Sequence, residues 1–342
     1  MRAFITGLAG TTLSETERAF LRDAQPWGLI LFKRNVADPV TLARLCDDCR
    51  DVLGRAAPVL VDQEGGRVQR LGPPHWPVYP PAVAYGRLYD RDAALGLAAA
   101  RLGGRLIAAD LRAVGIDVDC MPVADMPARG ADAVIGDRAF GDDPAKIAAL
   151  ADAFAAGLSD GGVLPVVKHI PGHGRATADS HLKLPVVTAE RATLETSDFA
   201  AFRPLAGLPL AMTAHVVFTA IDPAAPATTS PVIVREVIRV SIGFQGLLMS
   251  DDVSMGALSG PIGERTRAAI AAGCDVVLHC NGAMDEMREV AAAAPSLAGE
   301  AARRAEAALA RRRPAAAVDV AARRAEFLAL MSAVWEPARG LA

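Results

Sequence analysis

The stretch PVVKHIPGHGRATADSHLK, residues 165–183, begins apolar and then breaks into proline, glycines, histidines and an aspartate. Pro165, Val166 and Val167 read as the end of a buried strand. Pro171, Gly172 and Gly174 forbid a helix directly after it, so Lys168, His169, His173, Asp179 and His181 ride on irregular backbone. Loops held by a rigid scaffold are where chemistry usually sits.

The same strand-then-break pattern recurs along the chain. Short apolar runs fall at Ala3–Leu8, Gly28–Phe32, Pro58–Asp62, Ile116–Pro122, Pro165–His169, Leu210–Val217, Gly246–Ser250 and Asp275–Cys280. Helical patterns lie between most of them, at Pro39–Leu53, Arg91–Val114, Pro144–Leu158 and Ala189–Leu205. Continuous apolar strands alternating with helices predict a parallel sheet covered by helices. Eight such units predict an α/β fold, a (β/α)8 TIM-type barrel. An open doubly wound sheet would more often carry a glycine-rich nucleotide turn after its first strand, and GLAGTT at Gly7–Thr12 is not GxGxxG.

Beyond Asn281 the chain turns rich in alanine and arginine, and Pro314 separates two segments with amphipathic spacing. The expectation is a single catalytic domain over 1–342, with 296–342 forming extra C-terminal helices packed on the barrel. At 342 residues and 52% hydrophobic content, the chain can fill such a core. The net charge of −3 is spread evenly, which argues against nucleic acid as a partner, and no apolar run approaches the ~20 residues a membrane span needs. The start lacks the pattern of a signal peptide, so a cytoplasmic location is expected. Five cysteines, an odd number, in a chain of this size point to reduced thiols. Cys46 and Cys49 form a lone CxxC at helical spacing, which reads as two thiols on one helix rather than a zinc or redox motif.

A barrel of this kind carries its active site at the C-terminal ends of the strands. Polar residues gather at those positions: Asp62, Asp125 with Arg138 in the loop beyond, Lys168 and His169, His215, and Asp251 with Asp252. A charge just past an apolar strand is costly to bury without a partner, so the set together points to function. The residue types allow Asp251 to be a nucleophile, a metal ligand or a structural carboxylate, and Asp252 has the same choices. Cleaving a glycosidic bond needs a carboxylate beneath the anomeric carbon and a proton donor beside the leaving oxygen. In the D-x-H arrangement of Asp179 and His181, extended backbone points both side chains the same way, so the carboxylate can steady one ring nitrogen while the other faces substrate.

KHIPGHG and TADSH (168–174 and 177–181), with VDQEGGRVQRL, VIGDRAFG, MTAHVVF and SDDVSMGAL, stand in one order along the chain. In that order they resemble the β-N-acetylglucosaminidases of glycoside hydrolase family 3, in the single-domain bacterial form that works in cell-wall recycling. The resemblance implies a retaining double displacement with Asp251 as nucleophile and Asp252 in support. It implies His181 as acid and base, with Asp179 orienting it. It also implies that Asp62, Arg138, Lys168 and His169 hold sugar hydroxyls, as charge-assisted hydrogen bonds would allow. Arg70 is counted with this binding set; His215 lies in a matching motif without a settled role, and His173 is read as organising the loop. Ile170, where an aromatic is common, and Arg175 depart from the pattern without touching the chemistry.

The implied substrates are N-acetylglucosamine-anhydro-N-acetylmuramyl peptides, with no cofactor, no metal and a monomeric chain. Three rivals are a phosphorylase that passes the sugar to phosphate, a metal-dependent barrel hydrolase, and an inert sugar-binding barrel. The metal reading would draw on Lys168, His169, His173, His215 and Asp251. Against it, FITGL ends without the His-x-His that such hydrolases commonly place on the first strand.

Overall fold

The computed structural model describes residues 1–128, 130, 132–176, 178–180, 183–315 and 318–336. Eight parallel strands close into a barrel: β1 (Arg2–Gly7), β2 (Pro26–Leu31), β3 (Val59–Val61), β4 (Val118–Asp119), β5 (Leu164–Ile170), β6 (Leu210–Thr213), β7 (Leu247–Asp252) and β8 (Val276–His279). Each pairs with its neighbours in sequence, and β1 closes against β8 with Phe4 opposite Val277. Every one of the eight apolar runs overlaps one of these strands.

Strand alternation sorts the side chains. Ile5, Ile30, Leu60, Val166, Met212, Met249 and Leu278 point into the barrel and form one buried cluster. Phe4, Leu29, Val61, Val167, Ala211 and Leu248 point outward and join the cluster beneath the surrounding helices.

The helices follow in order: α1 (Glu15–Ala24), α2 (Pro39–Leu53), α3 (Ala82–Arg91), α4 (Ala93–Arg112), α5 (Pro144–Asp160), α6 (Arg191–Thr196), α7 (Asp198–Phe202), α8 (Ile262–Ala272), α9 (Met284–Ala293), α10 (Gly299–Leu309) and α11 (Val320–Met331). Helix α2 matches its sequence expectation because its signals agree: Asp38 caps the amides of Val40 and Thr41, Pro39 opens the first turn, and Gly54 closes it at φ 64°. Cys46 and Cys49 both lie buried on this helix, and burial pushes the Cys46 thiol up to about 12.

The expected helix over 189–205 is instead two short helices, α6 and α7, and a 3-10 turn over Arg203–Leu205. The break falls at Ser197, whose hydroxyl donates to the Thr193 carbonyl and accepts from Arg175, and whose backbone leaves the helical region. Between β6 and β7 the connection is a π-helical stretch, Ile233–Ser241.

Helix α10 lies across the N-terminal ends of the strands, where Ala305 and Ala308 join the barrel-interior cluster. Helix α11 packs on the α3–α4 side, with Phe327 tilted against Tyr79 and Tyr85. Among the described residues no helix is long and apolar enough to cross a membrane.

Candidate active site

The C-terminal ends of the strands open onto a pocket of ≈ 730 Å³, counting the part open to solvent. Its walls include Asp62 and Glu64 beyond β3, Lys168 and His169 from β5, and Asp251 and Asp252 from β7. Arg70, Arg138, His173 and Ser180 reach it from the loops. The sequence argument brings six of its eight site residues to this one place: Asp62, Arg70, Arg138, Lys168, His169 and Asp251. Asp179 is described but is not part of the pocket wall, and His181 lies outside the described residues.

One wall is a chain of alternating charges. Arg70 Nη2 donates to Asp62 Oδ2 at 3.0 Å, and Lys168 Nζ bridges Asp62 Oδ1 at 2.8 Å and Glu64 Oε1 at 2.6 Å. Arg138 grips the same Glu64 with Nε and Nη2 at 2.8 and 2.9 Å. Burial by itself would raise the Asp62 carboxyl, but Lys168 and then Arg70 hold it well below the usual carboxylate range. Glu64 is also held low, by Lys168 and Arg138 against its burial. The Lys168 ammonium is only 2% exposed, yet its two carboxylate partners overcome desolvation and raise it. Three cations and two carboxylates thus form one connected network in this wall.

Local geometry explains how the wall is built. Glu64 lies two residues beyond Asp62, so both carboxylates point the same way along extended backbone. The next residue, Gly65, has φ +88°, and a Cβ there would stand 2.3 Å from the Pro80 carbonyl oxygen. Arg67 then fastens the loop that carries Arg138, donating to the Val134 carbonyl at 2.7 Å and to Asp137 at 2.9 Å. Phe32 completes this side, with the Arg34 and Arg70 guanidiniums 4.9 and 5.3 Å from its ring centroid.

His169 also lines the pocket, with Asp125 buried behind it. His169 Nδ1 meets Asp125 Oδ2 at 2.6 Å, which fixes the ring and turns its other nitrogen away from that carboxylate. Asp125 is fully buried; burial would raise it, and the adjacent His169 holds it low. The Lys168–His169 and Ile170–Pro171 peptides are cis.

Asp251 and Asp252 both reach the pocket. Both Asp252 oxygens are engaged nearby: Oδ1 accepts the amides of Ser254 and Cys280, and Oδ2 accepts the Ser254 hydroxyl at 2.7 Å. Asp251 Oδ1 accepts the Asp252 amide at 2.8 Å. His215 is buried beneath the pocket and engages both ring nitrogens, with Thr228 Oγ1 at 2.7 Å and the Asp252 carbonyl at 2.9 Å. That leaves it no nitrogen for the metal site drawn from sequence. Among the described residues no three His, Cys, Asp or Glu side chains converge as a metal site would require.

Sequence reasoning missed Glu64, although the i, i+2 rule applied to Asp179 and His181 would have found it beside Asp62. It also passed over Phe32 and Ser180, which carry no local signal.

The model of the glycosyl hydrolase family 3 N-terminal domain matches residues 5–312. A β-hexosaminidase of Alkalilimnicola ehrlichii is 44% identical over 279 residues, covering 80% of this chain and 79% of the relative. A β-hexosaminidase of Aromatoleum aromaticum is 42% identical over 278 residues, covering 80% and 78%. Among solved structures, NagZ from Neisseria gonorrhoeae in complex with N-trifluoroacetyl-D-glucosamine superposes with a TM-score of 0.84 at 34% identity, covering 97% of this chain and 96% of that one. The chain belongs to glycosyl hydrolase family 3.

Proposed function

We propose that the protein is a retaining exo-β-N-acetylglucosaminidase that removes terminal N-acetylglucosamine from muropeptide or anhydro-muropeptide fragments in the cytoplasm, acting as one catalytic domain with 296–342 packed on the barrel. The observation that carries the reading is the convergence at the barrel mouth. Asp251, at the end of β7, lines the same pocket as Asp62, Arg70, Arg138, Lys168 and His169. The hexosaminidase relatives and the sugar-bound NagZ neighbour support the choice of N-acetylated sugar. The recycling substrate rests on the motif resemblance.

In this mechanism an Asp251 carboxylate oxygen attacks the anomeric carbon. The bond to the aglycone oxygen breaks, and His181 gives that oxygen its proton. Water then attacks the same carbon and returns a proton to His181, and the glycosyl–Asp251 ester breaks. Two inversions leave the β configuration unchanged. Asp179 orients the imidazole. Asp62, Arg70, Arg138, Lys168 and His169 hold the sugar hydroxyls.

The test is 4-nitrophenol release from its β-N-acetylglucosaminide by wild type and Asp251→Ala, in chelator, with and without phosphate. Chelator-resistant activity that disappears in the variant supports the mechanism. Phosphate-dependent formation of a sugar phosphate would reassign the enzyme as a phosphorylase. Loss of wild-type activity in chelator, or full activity in the variant, contradicts it.

A further inference from the structure

Asp125 ties together two histidines with different surroundings. Its Oδ2 meets the His169 ring at 2.6 Å, and its Oδ1 accepts the backbone amides of His169 at 3.2 Å and His173 at 2.7 Å. His173 in turn meets Ser180 Oγ through Nε2 at 3.0 Å. The Ser180 carbonyl accepts the amide of Ala257, from the loop after β7, at 3.1 Å. Ser180 is therefore gripped from two strand-end loops, and it is 3% exposed although it lines the pocket. In the sequence it separates Asp179 from His181.

The His173 ring is suited to this one contact. Nδ1 is buried and has no hydrogen-bond partner among the described residues. A proton on Nε2 leaves only a lone pair unpartnered, so Nε2–H donates to the Ser180 hydroxyl. Burial first, and the neighbouring His169 second, push the ring down to about 4, so it stays neutral near neutral pH.

We propose that His173 and Ser180 are positioning residues for the proton-transfer step: His173, anchored by Asp125, holds Ser180 and thereby fixes the segment bearing Asp179 at the pocket. Because Asp125 also orients His169, sugar binding and the placement of Asp179 share one hydrogen-bond relay. This rests on the acid/base assignment of Asp179 and His181 above. A misplacement of about 1 Å at a reacting group costs on the order of 10²-fold in rate.

Leaving-group dependence separates positioning from simple structural support. A 2,4-dinitrophenyl glycoside departs without a proton, whereas a phenyl glycoside needs one. For Ser180→Ala, kcat/KM is expected to fall on the order of 10²-fold on the phenyl substrate and less than about threefold on the dinitrophenyl substrate. His173→Ala is expected to show the same selectivity, and the double variant to be no worse than the weaker single variant. Equal loss on both substrates, or no loss on either, overturns the proposal. His181→Ala is the control: if it fails to discriminate between the substrates, the acid/base assignment itself falls; if it discriminates and Ser180→Ala does not, only the positioning role falls. Should Ser180→Ala not fold, His173→Gln carries the same comparison.

Discussion

The Arg138 guanidinium lies edge-on to the Glu64 carboxylate, with Nε to Oε2 at 2.8 Å and Nη2 to Oε1 at 2.9 Å, and this pair is almost wholly buried. Glu64 also accepts from Lys168, so protein donors take up most of its acceptor capacity. Its neighbour Asp62 has one partner on each oxygen and keeps lone pairs for a ligand. Glu64→Gln keeps the shape but leaves two buried cations short of one charge. Removing one partner of a buried pair costs about 3–5 kcal/mol. The expected outcome is a lower unfolding midpoint and a kcat/KM reduced by about 10²-fold or more, mainly through KM, read by denaturation and steady-state kinetics.

Asp251 and Asp252 are adjacent yet should respond very differently. Asp252 oxygens accept from Ser254 and the Cys280 amide, a role that asparagine can partly keep. Asp252→Asn is expected to lower turnover by about tenfold, whereas Asp251→Asn should lower it by at least about 10³-fold, as loss of a nucleophile does. Comparable losses in the two variants would remove the distinction.

Acid stability follows from His173. The unfolded imidazole takes up its proton near the ordinary value of 6.5, while the folded one waits until about 4. Between those values the unfolded chain binds more protons, so stability falls as pH drops from 6.5 to 4, by about 3 kcal/mol in all. Asp62 and Glu64, both held low, add a further loss below the ordinary carboxylate range. Urea unfolding from pH 8 to 4 should be nearly flat above 7 and slope downward below 6.5, and His173→Asn should flatten the upper part of that slope.

Gly174 sits where the loop after β5 crosses the loop after β4. A Cβ there would stand 2.0 Å from the Met126 carbonyl oxygen and 2.2 Å from its carbon. No flexible side chain is available to yield, so Gly174→Ala must push the two backbones apart. Activity is expected to fall by about 10²-fold, the scale of a 1 Å misplacement, with a lower thermal midpoint measured on the same sample.

The barrel was legible because its evidence is local. Each strand is a short apolar run, and helix α2 carries its own cap, opening proline and closing glycine. The 189–205 segment was misread because the break at Ser197 depends on Arg175, more than twenty residues away. The site divides in the same way. Asp62, Lys168, His169 and Asp251 stand at strand ends, where polar residues after apolar ones stand out. Glu64 stands at the i, i+2 spacing from Asp62, but its partners Lys168 and Arg138 lie 104 and 74 residues further on, and Ser180 meets His173 and Ala257 only across the pocket mouth. Spacing along a chain cannot report such pairings until the loops have been brought together.

The most direct measurement is covalent trapping. The enzyme is incubated with a 5-fluoro N-acetylglucosaminyl fluoride, which forms a glycosyl-enzyme readily and hydrolyses it slowly, then digested and mapped by mass spectrometry. One glycosyl unit per chain, on the carboxylate of Asp251, is the expected result. No covalent adduct, or an adduct on Asp252 or any other residue, would contradict Asp251 as the nucleophile.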